Sequence, residues 1–460
     1  MTNAQHTALL EQLRHFNPSG ISQWDHLSSG YWISEKNPGY PFLAEPFYAL
    51  GVLRVAPLFY GLLGCVGLFA GARAWLGRWA GTYAVILFCF SGAAMAFAWR
   101  STMPSFTDAS LIAAGAGALL WSMVSVDSPT SHRTFVGVMA FVALDLAVFT
   151  RYTNIAVLIV AVVAVAACLR SAKVAASSAL WWAGTVVGFG AFLAVFNATV
   201  YGGPTKTGYA AGEITFSGAA IVPNLEHMPL LLIRNIPACI LATVSLIWMV
   251  VAAFKTRSSM GSTRRVEARR NLAVGASLAT AWLSVWGLYV AYDWTARMSA
   301  DPSQAIHVIR FYVPVLGVIA LLGTYVLTRI PLWGSAIVLA LVVGLSLNQF
   351  NSLASAQSPR GGFPGGFGTP GDHPPTGKPG SQFGGHPSSP FAHSGSLPTP
   401  PARSGSSKSG TTPSLPQHAT NPAGGVPDSH QPEGGFPDGG QPDGGFPDGG
   451  PGGSDGGHDH

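Results

Sequence analysis

"PLLLIRNIPACILATVSLIWMVVAAFKTRSSMGSTRRVEARR", Pro229–Arg270, is the stretch that decides the fold. As far as Phe254 it carries Arg234 as its one charge, and at 1.5 Å per helical residue it is long enough to cross about 30 Å of hydrocarbon. From Lys255 onward six basic residues face the single acid Glu267. An apolar run closed by a basic segment reads as a transmembrane helix whose following loop stays on the cytoplasmic side.

Working outward from it, the same reading repeats along the chain. Apolar runs predict ten spans, near residues 55–72, 80–98, 107–125, 134–150, 154–169, 176–200, 229–254, 271–292, 309–328 and 331–350. Gly, Ala, Ser and Thr recur inside them, as helices that approach closely in lipid require. Only 10% of the 460 residues are charged, against about 25% in soluble domains. The expected fold is an all-α, polytopic transmembrane helical bundle, a multi-pass protein of the cell membrane.

Alternation from the Lys255–Arg270 loop places Arg73, Arg78, Arg133, Arg170, Lys173 and Arg329 inside as well. Residues 1–54, 99–106, 151–153, 201–228, 293–308 and the C-terminal tail fall outside. Because the basic residues punctuate apolar runs, the +5 net charge is no nucleic-acid footprint. Cys65, Cys89, Cys168 and Cys239 show no metal-ligand spacing and read as small residues of helix packing.

Three regions result. Residues 1–52 form an extracytoplasmic N-terminal segment, 53–350 the membrane domain and 351–460 a tail. The first 52 residues lack both a signal peptide and a helix to carry them across, so a reading frame beginning upstream is expected. The tail is rich in Gly, Pro, Ser and His, with near-repeats such as "GGFPDGGQPDGGFPDGG" at 434–450, and is expected to be disordered and extracytoplasmic.

The outer segments hold clusters of charge, aromatic and turn residues. "SEKNPGYPF", Ser34–Phe42, has two prolines three apart and reads as a rigid loop; Asp25, Glu35, Lys36 and Tyr40 lie in or near it. "WRSTMPSFTDASL", Trp99–Leu111, ends one helix at Arg100 and opens the next, with Asp108 in its first turn and Ser105 or Thr107 as its cap. "FTRYTN" puts Arg151 in a tight turn, and upstream Asp145 lies inside an apolar span, where a structural ion pair is expected. "VYGGPTKTGY" ends at Tyr209, and "HVIRFYVPVLG" contains Arg310. Lys36, Arg100, Arg151 and Arg310 thus share one membrane face with Asp25, Glu35 and Asp108. A lipid phosphate needs such cations, and group transfer beside it needs a carboxylate base.

In this order the motifs resemble the membrane-embedded C-type glycosyltransferase superfamily, in particular its protein O-mannosyltransferase and aminoarabinose transferase branch. Lys36–Pro41 is similar to that family's Lys-x-Pro-Gly-Tyr-Pro loop, and "TMPSFTDASL" resembles its Met-Ser-Asp/Glu segment, aligning Asp108 with the acidic residue. Arg151-Tyr-Thr resembles its Arg-Pro-Thr turn, Tyr201–Tyr209 its Tyr-Gly-x-Pro…Thr-Gly-Tyr loop, and Arg310-Phe-Tyr-x-Pro its Arg-Tyr-Leu-x-Pro. The resemblance covers residues 20–350 and implies transfer of a sugar from a polyprenyl-phosphate donor to an acceptor on the outer face. It implies Lys36, Arg100, Arg151 and Arg310 at the donor phosphate, Tyr40 and Tyr209 in substrate loops, and Asp108, Glu35 or Asp25 as catalytic carboxylate. The family's first helix and the acidic pair after it have no counterpart here, and no Asp-Asp or Asp-Glu precedes residue 108. That departure favours the alternatives, a non-enzymatic carrier or flippase for lipid-linked sugars or an inactive relative. Membrane lipids are the other expected partners and nucleic acid is not. Enzymes on lipid-linked phosphates often use a divalent cation, but no ligand set in the sequence compels one and no metal residue is assigned. Sugar, acceptor and oligomeric state are left open.

Overall fold

The computed structural model describes residues 37–355 apart from 101–102, 170–173, 210–213, 260–261 and 299–304, together with 2–4, 7–8, 24–26 and 32–34. Glu35, Lys36 and the tail beyond residue 355 lie outside the described residues. Ahead of the bundle, β1 (Trp24–His26) and β2 (Trp32–Ser34) pair antiparallel.

The helices are α1 (Gly39–Ala49), α2 (Ala56–Leu76), α3 (Arg78–Cys89), α4 (Gly92–Ala98), α5 (Ser105–Val124), α6 (Thr130–Thr150), α7 (Ile155–Cys168), α8 (Ala176–Tyr201), α9 (Ile221–Asn235), α10 (Ala238–Ser259), α11 (Ser262–Val290), α12 (Asp293–Met298), α13 (Ala305–Ile309), α14 (Leu316–Leu327) and α15 (Leu332–Ser355). Seven segments among the described residues are long and apolar enough to cross a membrane: Leu53–Leu76, which includes α2, and segments within α5, α6, α8, α10, α11 and α15. The chain is a multi-pass membrane protein of helical-bundle class.

The other three expected spans take different forms. Segment 80–98 is a pair, α3 and α4, bent by 64° at Phe90–Ser91. Segments 154–169 and 309–328 are the shorter apolar helices Tyr152–Cys168 and Val313–Leu327. The run that opened at Pro229 is also divided. Pro237 denies an amide hydrogen at the junction, and Ile236 leaves helical geometry (φ −132°, ψ 63°), so α9 stops and α10 starts as a separate span.

The expected loop at Ser34–Phe42 is corrected at its second half. α1 starts at Gly39 with Pro38 as its N-cap, and Pro41 lies within its first turn, where a missing amide hydrogen costs no helical bond.

Packing centres on α14. Every one of its residues is buried, between α3, α5 and α10: Gly323 meets Leu87 and Leu241, and Gly317 meets Ala113. The closest seam joins α2 to α5. A Cβ on Gly67 would lie 2.7 Å from the Ala114 Cα, and one on Gly64 3.0 Å from the Ser110 carbonyl oxygen, so the backbones touch because no side chain intervenes. This seam fixes α5, and with it Asp108.

Candidate functional site

The site is built where α5, α6 and the 305–316 segment meet at one end of the bundle. α6 ends at Thr150, and Arg151 leaves the helix in an extended conformation (φ −155°, ψ 110°). That turn swings its side chain across to the first turn of α5. The Arg151 Nε lies 3.0 Å from Asp108 Oδ2, a pairing of charges without an aligned hydrogen bond, while the Thr150 hydroxyl donates to Oδ1. Arg151 also donates through Nη2 to the Ser105 hydroxyl (3.3 Å) and through Nη1 to the Arg310 carbonyl (3.1 Å). Asp108 is completely buried and the Arg151 side chain is 13% exposed.

Ser105 and Thr107 were expected to cap α5. No side chain caps it; Pro104 occupies the N-cap, and the Ser105 oxygen is taken by Arg151. The Asn37–Pro41 part of the Lys-Asn-Pro-Gly-Tyr-Pro motif reaches the same place for a steric reason. A side chain on Gly39 would collide with the backbone of Phe149 and Thr150, so only glycine lets α1 lie against this corner. Tyr40 is thereby buried beside Thr107, within the field of Asp108, and burial pushes its hydroxyl pKa up to about 12.

Arg310 follows the short α13. Its guanidinium stands 4.8 Å from the Phe311 ring centre and 5.1 Å from that of Trp294, and its Nε is buried without a hydrogen-bond partner among the described residues. Burial, reinforced by Arg151, pushes its pKa down to about 10, with Tyr292, Tyr209 and Tyr289 opposing. Arg100, beyond α4, lies over Phe97 at 5.8 Å with Nη1 buried and without a partner among the described residues, and burial brings its pKa down to about 10. Both guanidiniums therefore remain charged at neutral pH. His307 is within the field of both, and burial together with these two cations holds its imidazole below the ordinary value. For Arg151, burial works against the charge, but Asp108, then Tyr289 and Tyr209, lift its pKa above the ordinary arginine value.

The fold thus brings together Asp108, Arg151, Arg310, Tyr40 and Tyr209, and links Arg100 to them through His307. Among the described residues Asp108 is committed to Arg151, and no ion pair to a carboxylate is formed by Arg100 or Arg310. The side chain of Asp25, like Glu35 and Lys36, lies outside the described residues. Asp145, expected to hold a structural ion pair, is 2% exposed, and neither oxygen finds a partner among the described residues.

Residues without a signal in the sequence complete the site. Tyr289, inside the apolar α11, bonds Thr153 at 2.7 Å and supports Arg151. Trp294 and Phe311 meet edge to face, ring centres 5.4 Å apart, under Arg310. His307 was readable only as a neighbour of Arg310. No group of three His, Cys, Asp or Glu side chains among the described residues is placed to hold a metal ion, and both Asp108 oxygens face protein partners.

No family model and no curated protein matches the chain. Two solved structures do: ArnT from Cupriavidus metallidurans in the apo state, and the same protein bound to undecaprenyl phosphate. The first is 16% identical with a TM-score of 0.33 and covers 68% of this chain and 67% of its own. The second is 17% identical with a TM-score of 0.34 and covers 70% and 72%. At TM-scores of this size the likeness leaves the site to be read from its own geometry.

Proposed function

We propose that the protein transfers a sugar from a polyprenyl-phosphate donor to an acceptor at the outer face of the membrane, and that the arginine cluster holds the donor phosphate. The observation that carries this reading is a pair of buried guanidinium groups, Arg310 and Arg100, each with an N–H that has no partner among the described residues, at the end of the bundle where Asp108 is committed to Arg151. Desolvated guanidinium groups with open N–H donors suit an anion, and phosphate matches their geometry. The motif order along residues 20–350 supplies the polyprenyl donor in this reading.

In the transfer, the acceptor oxygen bonds to the anomeric carbon as the bond from that carbon to the phosphate oxygen breaks. The phosphate gains charge, which Arg310 and Arg100 stabilise through their unpartnered N–H groups, with Lys36 as a further cation. Arg151 is held in place by Asp108, Thr150 and Ser105 and adds its field. Asp108 is thereby a positioning residue, and the acceptor proton goes to Glu35 or Asp25. The Asp108–Arg151 pairing also favours a second reading, a carrier that binds the lipid phosphate and does no chemistry.

The test uses the full chain in lipid nanodiscs. Polyprenyl phosphate should bind, and Arg310→Ala should weaken it by on the order of ten- to a hundredfold. Acceptor-dependent release of polyprenyl phosphate from its sugar-loaded form establishes the transferase. Binding without release establishes the carrier, and no phosphate binding overturns both.

A further inference from the structure

The sequence assigned the cysteines to helix packing, yet two of them meet. Cys65 on α2 and Cys89, the last residue of α3, are separated by 24 residues in the chain, and their sulfurs are 3.2 Å apart. Closing that distance to a disulfide bond of about 2.05 Å needs a shift of about 1 Å. Both thiols are free and half-buried. They lie next to side chains that face the surroundings of the bundle: Leu62, Val66 and Phe90 are all exposed. Cys65 sits about 14 Å along α2 from Ala56, so those surroundings are acyl chains and an oxidant must come from the bilayer.

The position of Cys89 gives the contact a mechanical meaning. The 64° bend between α3 and α4 begins at the very next residue, and α4 leads directly to Arg100. The far side of the bend is held by close backbone contact: a Cβ on Gly92 would lie 2.7 Å from the Ser346 carbonyl oxygen of α15. A covalent link at Cys89 would hold the near side against α2, leaving the bend no freedom on either side.

We propose that Cys65 and Cys89 are a redox-active dithiol within the membrane, which a lipid-soluble quinone closes to a disulfide that pins the α3–α4 bend. The two thiols give up two protons and two electrons, a sulfur–sulfur bond forms, and the quinone becomes a hydroquinone. A thiol reductant reverses the step. The inference is independent of the sugar-transfer reading.

The experiment exposes the full chain in nanodiscs to a short-chain ubiquinone analogue. Free thiols are then titrated under denaturing conditions, and the intact mass is measured. The expected result is loss of two of the four thiols, a protein lighter by two hydrogens, and a bridged peptide pair containing Cys65 and Cys89, all reversed by reductant. A variant with Cys168→Ala and Cys239→Ala should close equally well, and Cys65→Ser should not close. Four titratable thiols after exposure, while the same quinone oxidises a small lipophilic dithiol in the same nanodiscs, would show that the contact is packing alone and overturn the proposal. So would a bridge to Cys168 or Cys239, or one between chains.

Discussion

Two buried aspartates on neighbouring helices have opposite roles. Asp108 is matched by Arg151 and Thr150, whereas Asp145 is buried with neither oxygen partnered among the described residues. Removing one member of a buried ion pair strands the other, so Asp108→Asn should destabilise the detergent-solubilised protein by about 3 kcal/mol. Asp145→Leu removes a desolvated polar group and leaves nothing unpaired, so it should stabilise by about 1–3 kcal/mol. Thermal unfolding of the two variants side by side checks the contrast; equal losses would mean that Asp145 has a partner after all. Arg310→Met should split stability from binding. Without an anion the unpaired cation is a cost, so the melting temperature should hold or rise while phosphate affinity falls. The pH sign follows from the charge. The protonated guanidinium binds the anion and its pKa is lowered to about 10, so affinity should be intact at neutral pH and fall as pH climbs through 10. Titrations on either side of that value test it; Arg310→Met should lose its own share of the dependence and keep that of Arg100, whose pKa is also lowered to about 10.

Among the elements, α2 and α8 show how the same residue type differs by context. In α2 the glycines are the contact surface toward α5. In α8, Gly184, Gly188 and Gly190 have no atom within 4 Å of where a Cβ would stand. Gly67→Leu should therefore force the α2–α5 seam apart and cost about 1–3 kcal/mol, with Asp108 displaced and phosphate binding weakened alongside. Gly188→Leu should change stability by less than about 0.5 kcal/mol. Both are read from melting temperature and from the fraction of protein that remains monodisperse in detergent. The α3–α4 bend and the short, wholly buried α14 were not readable in the same way. Apolar length gives the number of hydrophobic segments, but not whether a segment crosses straight, bends or ends inside the bundle.

For the whole molecule, the basic residues predict orientation. With the native cysteines replaced, Ser259→Cys should be reached by a membrane-impermeant maleimide only from the cytoplasmic side, and Ser29→Cys and Ser406→Cys only from outside. Labelling of position 259 in intact cells would reverse the topology and remove the outer-face reading of the site. The 351–460 tail is too poor in large apolar residues to build a core, so deleting residues 360–460 should leave insertion and melting temperature unchanged. A large loss in the same unfolding assay would show that the tail packs on the bundle.

What the sequence determined by itself is what can be summed locally. Transfer of apolar residues into hydrocarbon sets the segments, and charge asymmetry sets the expected sidedness. The clustering of Asp108, Arg151 and Arg310 at helix ends was legible too, because each falls at the end of an apolar run. What only the tertiary structure decided is who meets whom. Asp108 and Arg151 are 43 positions apart, and Arg151 reaches the Arg310 carbonyl across 159. Such contacts depend on the glycine seams, on the corner below Gly39 and on the break after Cys89. They decided that the carboxylate most suggestive of catalysis is bound to an arginine, that Arg100 and Arg310 each bury an N–H with no partner among the described residues, and that two cysteines without a motif are in contact. Hydrophobicity acts on each residue where it stands in the chain, while charge pairing and sulfur contact act only once the chain has folded.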